Sequence, residues 1–326
     1  MISHSQSLVL ILGLFICGTC SADEPTSTIR FSEVFNSLVQ ERQRPQVYEV
    51  KYKLVQQFLQ ADHKRGLVET PKPEDSSARR IETIGLVRFD EIGGKLYCEQ
   101  KSRLQEFLDP NREESWKKYV AANYKNGFKL IIPGSKLEFD ANENRIVEKP
   151  MPTDIESEIP VDFKIFGLCN SADLRKGKSF EEVASRVFTY FKDWECPVDD
   201  MGVAIVDLRN EIYRIDTKKG FWPIERKAFY FETRNGKQMA VPHMGQDIKL
   251  IEINGNWVPK SVFVMDNSSS SLSYDFDWVT YDELLEPNAF DLMRIRDKWI
   301  EKEKAIAEKA AETAAEKGNS DKSQPR

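Results

Sequence analysis

The segment Ala172-Asp-Leu-Arg-Lys-Gly177-Lys178-Ser179 comes nearest, by residue type, to a phosphate-binding loop. It follows the apolar stretch Ile165–Leu168 and precedes a helical pattern, and Val203-Ala-Ile-Val-Asp207 further on mimics the strand that ends in a magnesium-binding carboxylate. In a nucleotide enzyme Lys178 would meet the β- and γ-phosphates and Asp207 would hold the cation. Three features oppose that chemistry. Ala172 stands where the loop needs a glycine for its backbone conformation. The surroundings are rich in hairpin signals, not in strand–helix–strand units. The chain also begins with an export pattern. The plainer reading makes Gly177-Lys178 a turn and Ser179 a helix cap. Nucleotide binding through 172–179 is therefore the distant alternative.

Other reactive groups are sparse. The chain has three histidines; His63 and His243 fall in expected loops, where a surface imidazole is the ordinary explanation. The carboxylates of Asp275 and Asp277 share one face of a strand and could hold a cation or move a proton. The other face of that strand is wholly apolar, which makes a solvated outer face the simpler account. Five cysteines fall to three if Cys17 and Cys20 leave with a leader, and Cys98, Cys169 and Cys196 remain. One bridge and one buried thiol fits an oxidising compartment, and Cys169–Cys196 is the preferred pair because it brackets the expected internal helix. Three separate buried thiols are the alternative. No Cys-x-x-Cys outlasts the leader, so no cysteine zinc site is expected. Neither a cofactor nor an enzymatic activity is expected.

The apolar side chains are more informative. Ser179-Phe180-Glu181-Glu182 forms a capping box,. Phe180, Val183, Ala184, Val187, Phe188 and Phe191 then make one broad stripe at helical spacing,. Leu272, Tyr274, Phe276 and Trp278 alternate with Ser273, Asp275 and Asp277, as a half-buried strand does. With Phe229 and Phe231, these give the candidate ligand lining: Phe180, Val183, Val187, Phe191, Phe229, Phe231, Leu272, Tyr274, Phe276 and Trp278. The same residue types build a cavity wall or a filled core, and both readings stay open.

The elements that must position these residues are mostly strands. Ser7–Gly18 is an apolar run, followed by small residues to Ala22 and by Asp23-Glu24. This is a signal-peptide layout with cleavage expected after Ala22 and a periplasmic or secreted mature chain; no integral span is expected once it is removed. Cys17-Gly18-Thr19 before Cys20 fits a lipobox poorly. The leader carries no Lys, Arg, Asp or Glu, so the mature chain keeps the net charge of -6 and lacks the basic footprint of a nucleic-acid binder. A helix is expected over 29–43, capped by Ser32 and stopped by Pro45. Val47–Leu54 then alternates as a strand. From Ile81 onward strands flank Gly93-Gly94, Asn126-Gly127, Asn235-Gly236 and Asn254-Gly255. Asn-Gly between alternating segments marks a type I′ hairpin. From Asn288 a last helix runs to 317, apolar as far as Ile300 and then dominated by Ala, Glu and Lys, before a disordered tail over 318–326.

Several short motifs together resemble the lipoprotein-localisation-factor (LolA/LolB-like) superfamily, in its large exported bacterial members. They are Gly85-Leu-Val-Arg-Phe89, Asn123-Tyr-Lys-Asn-Gly127, Asp162-Phe-Lys-Ile-Phe-Gly-Leu168, Ile215-Asp-Thr-Lys-Lys-Gly-Phe-Trp-Pro-Ile224, Glu252-Ile-Asn-Gly-Asn-Trp-Val-Pro-Lys-Ser261 and Phe276-Asp-Trp278. The resemblance implies an α+β fold: a strongly curved antiparallel half-barrel over 23–287 wrapped around helices, with an apolar cavity that accepts acyl chains. The expected function is an exported, non-enzymatic carrier whose partner is a lipid or a lipoprotein acyl chain. The alternative is an envelope protein with a filled core that binds a protein partner through its C-terminal helix.

Overall fold

The computed structural model describes residues 27–44, 46–59, 78–107, 122–140, 145–168, 194–208, 210–234, 237–266, 270–301, 304, 305 and 308. Its strands are β1 (Ser27–Arg30), β2 (Val47–Leu59), β3 (Ala78–Asp90), β4 (Lys95–Phe107), β5 (Ala122–Ile132), β6 (Ser135–Asp140), β7 (Arg145–Lys149), β8 (Glu195–Val198), β9 (Val203–Asp207), β10 (Glu211–Asp216), β11 (Trp222–Arg234), β12 (Lys237–Ile253), β13 (Asn256–Asp266) and β14 (Ser270–Tyr281). They form one unclosed antiparallel sheet in the order β1-β8-β9-β10-β11-β12-β13-β14-β2-β3-β4-β5-β6-β7. Helix α1 (Phe31–Arg42) follows β1, and helix α2 covers 292–301. The expected curved antiparallel sheet with a C-terminal helix is the architecture observed.

Side-chain alternation shows which face is inside. Val50 and Tyr52 on β2, Val87 and Phe89 on β3, Leu96 and Cys98 on β4, and Tyr274 and Phe276 on β14 share one apolar cluster with Ile248 of β12. In a flat sheet Cys98 and Ile248 would lie about 24 Å apart across five strand spacings. One cluster reaches both because the sheet curves around the segment 155–168, which contributes Val161, Phe163 and Phe166. A second cluster joins Phe31, Val34, Phe35 and Leu38 of α1 to Ile165, Leu168 and the inner residues of β9 and β10.

The opposite face of β4–β6 is covered too. Ile295 and Trp299 of α2 pack on Tyr97, Phe128 and Leu130. Burial on both faces explains why Phe128–Ile132 reads almost continuously apolar. Asp291 accepts from the Arg294 backbone N–H at 2.9 Å, which sets the start of α2 a turn later than the expected Asn288.

Three local expectations are corrected. Asn126-Gly127 makes no turn: β5 runs straight through it, with Gly127 opposite Gln100. The chain reverses instead at Pro133-Gly134, where Gly134 has φ 85° and Ile132 faces Ser135. A single glycine that accepts positive φ after a proline suffices for the bend. Ser32 does not cap α1: Ser27–Arg30 pairs with Glu195–Val198, Arg30 holds the N-cap position, and the helix opens at Phe31, whose N–H donates to the Trp194 carbonyl at 2.8 Å, so Ser32 lies within the first turn. The strand expected after Asn235-Gly236 and the one expected before Asn254-Gly255 are a single strand, β12, with register shifts opposite Ala228/Phe229 and at Lys249/Leu250. Asn254-Gly255 does form the expected hairpin, with φ 51° and 76°, and Arg234 faces Lys237 across 235–236.

Candidate functional site

The concave face is built from in-register rows. Gln246 of β12 faces Val264 of β13, which faces Leu272 of β14. Parallel rows place Ile248 beside Val262 and Tyr274, and Tyr52 beside Phe276 and Gly85. Leu272, Tyr274 and Phe276 are buried in the main cluster and Trp278 is half-buried against it. Among the candidate lining residues these four therefore stand together. Phe229 and Phe231 alternate away from buried Ala228 to the other face, and Phe231 is 50% exposed. Phe180, Val183, Val187 and Phe191, together with Cys169 and the segment 172–179, lie outside the described residues.

The segment 155–168 fills one end of this face. The ring of Phe163 lies 4.7 Å from Trp278, 4.9 Å from Phe276 and 5.4 Å from Tyr48, and Phe166 stands 5.2 Å from Tyr274. Ionic contacts fix the segment at both ends. Glu158 accepts from Lys129 and, at 2.7 Å, from Lys136. Burial pushes its carboxyl up, but the two ammonium groups outweigh burial and hold it below the ordinary range. Lys164 is buried and donates to Glu156 at 2.8 Å and Glu91 at 3.3 Å. Burial lowers the Lys164 amine, yet these two carboxylates leave it above its usual value. Arg42 of α1 donates to the carbonyls of Lys164 and Phe166 and stacks 4.2 Å over the Trp222 ring. Asp162 accepts from the Lys164 backbone N–H at 2.8 Å, and burial pushes its carboxyl up to about 6. The apolar density of 155–168 was the signal for this insert; its lack of helical or strand period hid it.

A polar pair interrupts the apolar face further along. Arg226 is 4% exposed and Gln246 1%, and the two face each other across β11 and β12. Arg226 donates to Glu211 at 2.9 Å, and the Tyr213 hydroxyl donates to the same carboxylate at 2.5 Å.

On the outer face, β14, β2, β3 and β4 border a groove of about 590 Å³ that ends at Trp299. Asp275 faces Lys53, and Asp277 faces Lys51; Lys101, Lys260, Glu99, Ile84 and Leu86 complete most of the wall. Interleaved charges of both signs on exposed strands are a solvated surface, in keeping with the simpler account of Asp275 and Asp277. Asp207, the candidate cation ligand, ends a strand paired antiparallel with β10, unlike the parallel strand of a nucleotide fold. Among the described residues no group of three or more His, Cys, Asp or Glu could hold a metal ion. No described helix is long and apolar enough to cross a membrane. Cys98 and Cys196 are buried and unbridged among the described residues.

No protein-family model and no curated protein matches the chain. Among solved structures it is similar to a DUF1329 family protein from Desulfovibrio piger, at 10% identity and TM-score 0.30, over 80% of this chain and 97% of that one. It is also similar to a LolA superfamily protein from Nitrosomonas europaea, at 9% identity and TM-score 0.28, over 80% and 97% of the two chains. A β-barrel-like protein of the DUF1849 group from Brucella abortus matches at 11% identity and TM-score 0.22, over 73% and 98%. The second of these carries the family name that the sequence motifs resemble.

Proposed function

We propose that this chain is an exported, non-enzymatic carrier that holds an apolar or lipid-like ligand against the concave face of its sheet. The observation that supports the reading is the continuous, buried apolar lining from Ile248 through Val262, Val264, Leu272 and Tyr274 to Tyr52. In this reading the ligand lies beside Phe166, and Phe180, Val183, Val187 and Phe191 supply the facing wall. Burial of about 300 Å² of acyl chain at about 25 cal/mol per Å² contributes roughly 7 kcal/mol before ordering costs. The export pattern and the motif resemblance noted above agree with it. The test is fluorescence titration of the delipidated mature chain with N-phenyl-1-naphthylamine. Saturable, micromolar uptake is expected; no uptake sinks the carrier reading.

The contacts of Phe163 and Phe166 favour a second reading, a filled core in an envelope protein that binds a partner chain. A chain ending at Glu301 that keeps its melting temperature but loses a cross-linked partner supports that alternative.

A further inference from the structure

The described part of the concave face holds one side chain whose chemistry is unused. Gln246 is 1% exposed, and among the described residues neither its Nε2 nor its Oε1 has a hydrogen-bond partner. Buried polar groups without partners are rare and costly, and a native chain that keeps one invites an explanation. A leucine would fill the same row between Met244 and Ile248 without the cost. The amide sits where an apolar track ends: Val264 and Leu272, both buried, lead to it in register.

Its neighbour decides the sign of the ligand. Arg226 is already balanced by Glu211, and its guanidinium stacks 5.3 Å from the Tyr213 ring. A carboxylate brought against Gln246 would therefore be buried beside a guanidinium whose charge Glu211 already offsets, and its desolvation would be compensated only in part. An ester carbonyl accepts the amide N–H without that loss. We propose that Gln246 is the polar anchor of the concave-face ligand and selects an uncharged acyl ester over a free carboxylate; this rests on the carrier reading above.

The experiment displaces N-phenyl-1-naphthylamine from the mature wild-type chain and from Gln246→Leu, using methyl laurate and laurate at pH 8. In the wild type the ester displaces the probe at a concentration about tenfold lower than the carboxylate. Gln246→Leu weakens the ester by about tenfold relative to the probe and raises the melting temperature of the ligand-free protein. Equal ester affinity in the two proteins overturns the anchor, and so does a lowered melting temperature, which is the mark of a purely structural amide. Failure of the wild type to take up the probe at all overturns the carrier reading and the anchor together, so the two failures are told apart.

Discussion

Replacing Phe163 with alanine removes a ring that is 3% exposed and that meets four others, Trp278, Phe276, Tyr48 and Phe166, at centroid distances of 4.7, 4.9, 5.4 and 6.1 Å. Truncating a buried phenylalanine costs about 3–5 kcal/mol through lost transfer energy and the cavity left behind. The edge-on geometry of these pairs, at 71° to Phe276 and 87° to Tyr48, puts the site at the upper part of that range. Three of the surrounding rings belong to two strands of one sheet, β14 and β2, so they cannot close over the hole. With a urea slope of about 3 kcal/mol per molar, the midpoint falls by about 1.3–1.7 M. Equilibrium unfolding followed by tryptophan emission suits the site, since Trp278 is the nearest ring. Phe163→Leu should lose roughly half as much. If the alanine variant shifts the midpoint by less than about 0.3 M at an unchanged slope, the insert is not part of the cooperative core. The same variant enlarges the concave space, so in the carrier reading it takes up more apolar probe than the wild type.

Asp162 supplies a pH test. Its carboxyl, held up to about 6 mainly by burial, lies above the unfolded value. The stability it contributes is therefore fully present below about pH 4 and is lost as pH rises through about 6. Asp162→Asn keeps the cap on the Lys164 N–H and should flatten this limb, with a difference from wild type on the order of 2–3 kcal/mol between pH 4.5 and pH 7.5 in urea melts; parallel curves would disprove the assignment. At Gly85 an added Cβ would stand 2.5 Å from the Tyr52 ring, so Gly85→Ala should lower stability by about 1–3 kcal/mol, and the pair Gly85→Ala with Tyr52→Leu should recover part of it. Burial pushes the Cys98 thiol up to about 11, so iodoacetamide at pH 8 should leave it unmodified in the native chain and label it in urea, as read by mass spectrometry.

The strand face was legible because Leu272–Trp278 alternates without a break, and the structure puts the aromatic set inside and Asp275 and Asp277 outside, opposite lysines. Asn126-Gly127 misled because turn preference is local, whereas Gly127 is held by thirteen-residue β4 alongside it; pairing overrides a two-residue preference. Composition does not reveal which way a strand faces, so the side of β11 on which Phe229 and Phe231 stand, opposite to that of Ala228, could not be read beforehand. The insert 155–168 was invisible to periodicity, since an irregular segment buries its residues by shape. Gln246 could not have been found from sequence at all: only the face assigned by Val264 and Leu272 turns an ordinary polar residue into a buried one.

An unclosed sheet ends in two strands with spare backbone groups, and this molecule blunts both. The β1 margin is four residues long. The β7 margin carries Arg145, Glu148 and Lys149, all exposed, and is followed at once by Pro150, which has no amide hydrogen to offer. Neighbouring molecules thus find little template for fibre-like growth by strand addition. With both described edges blunted, concentrating the chain gives little templated polymerisation through them, and association between copies falls to side-chain surfaces.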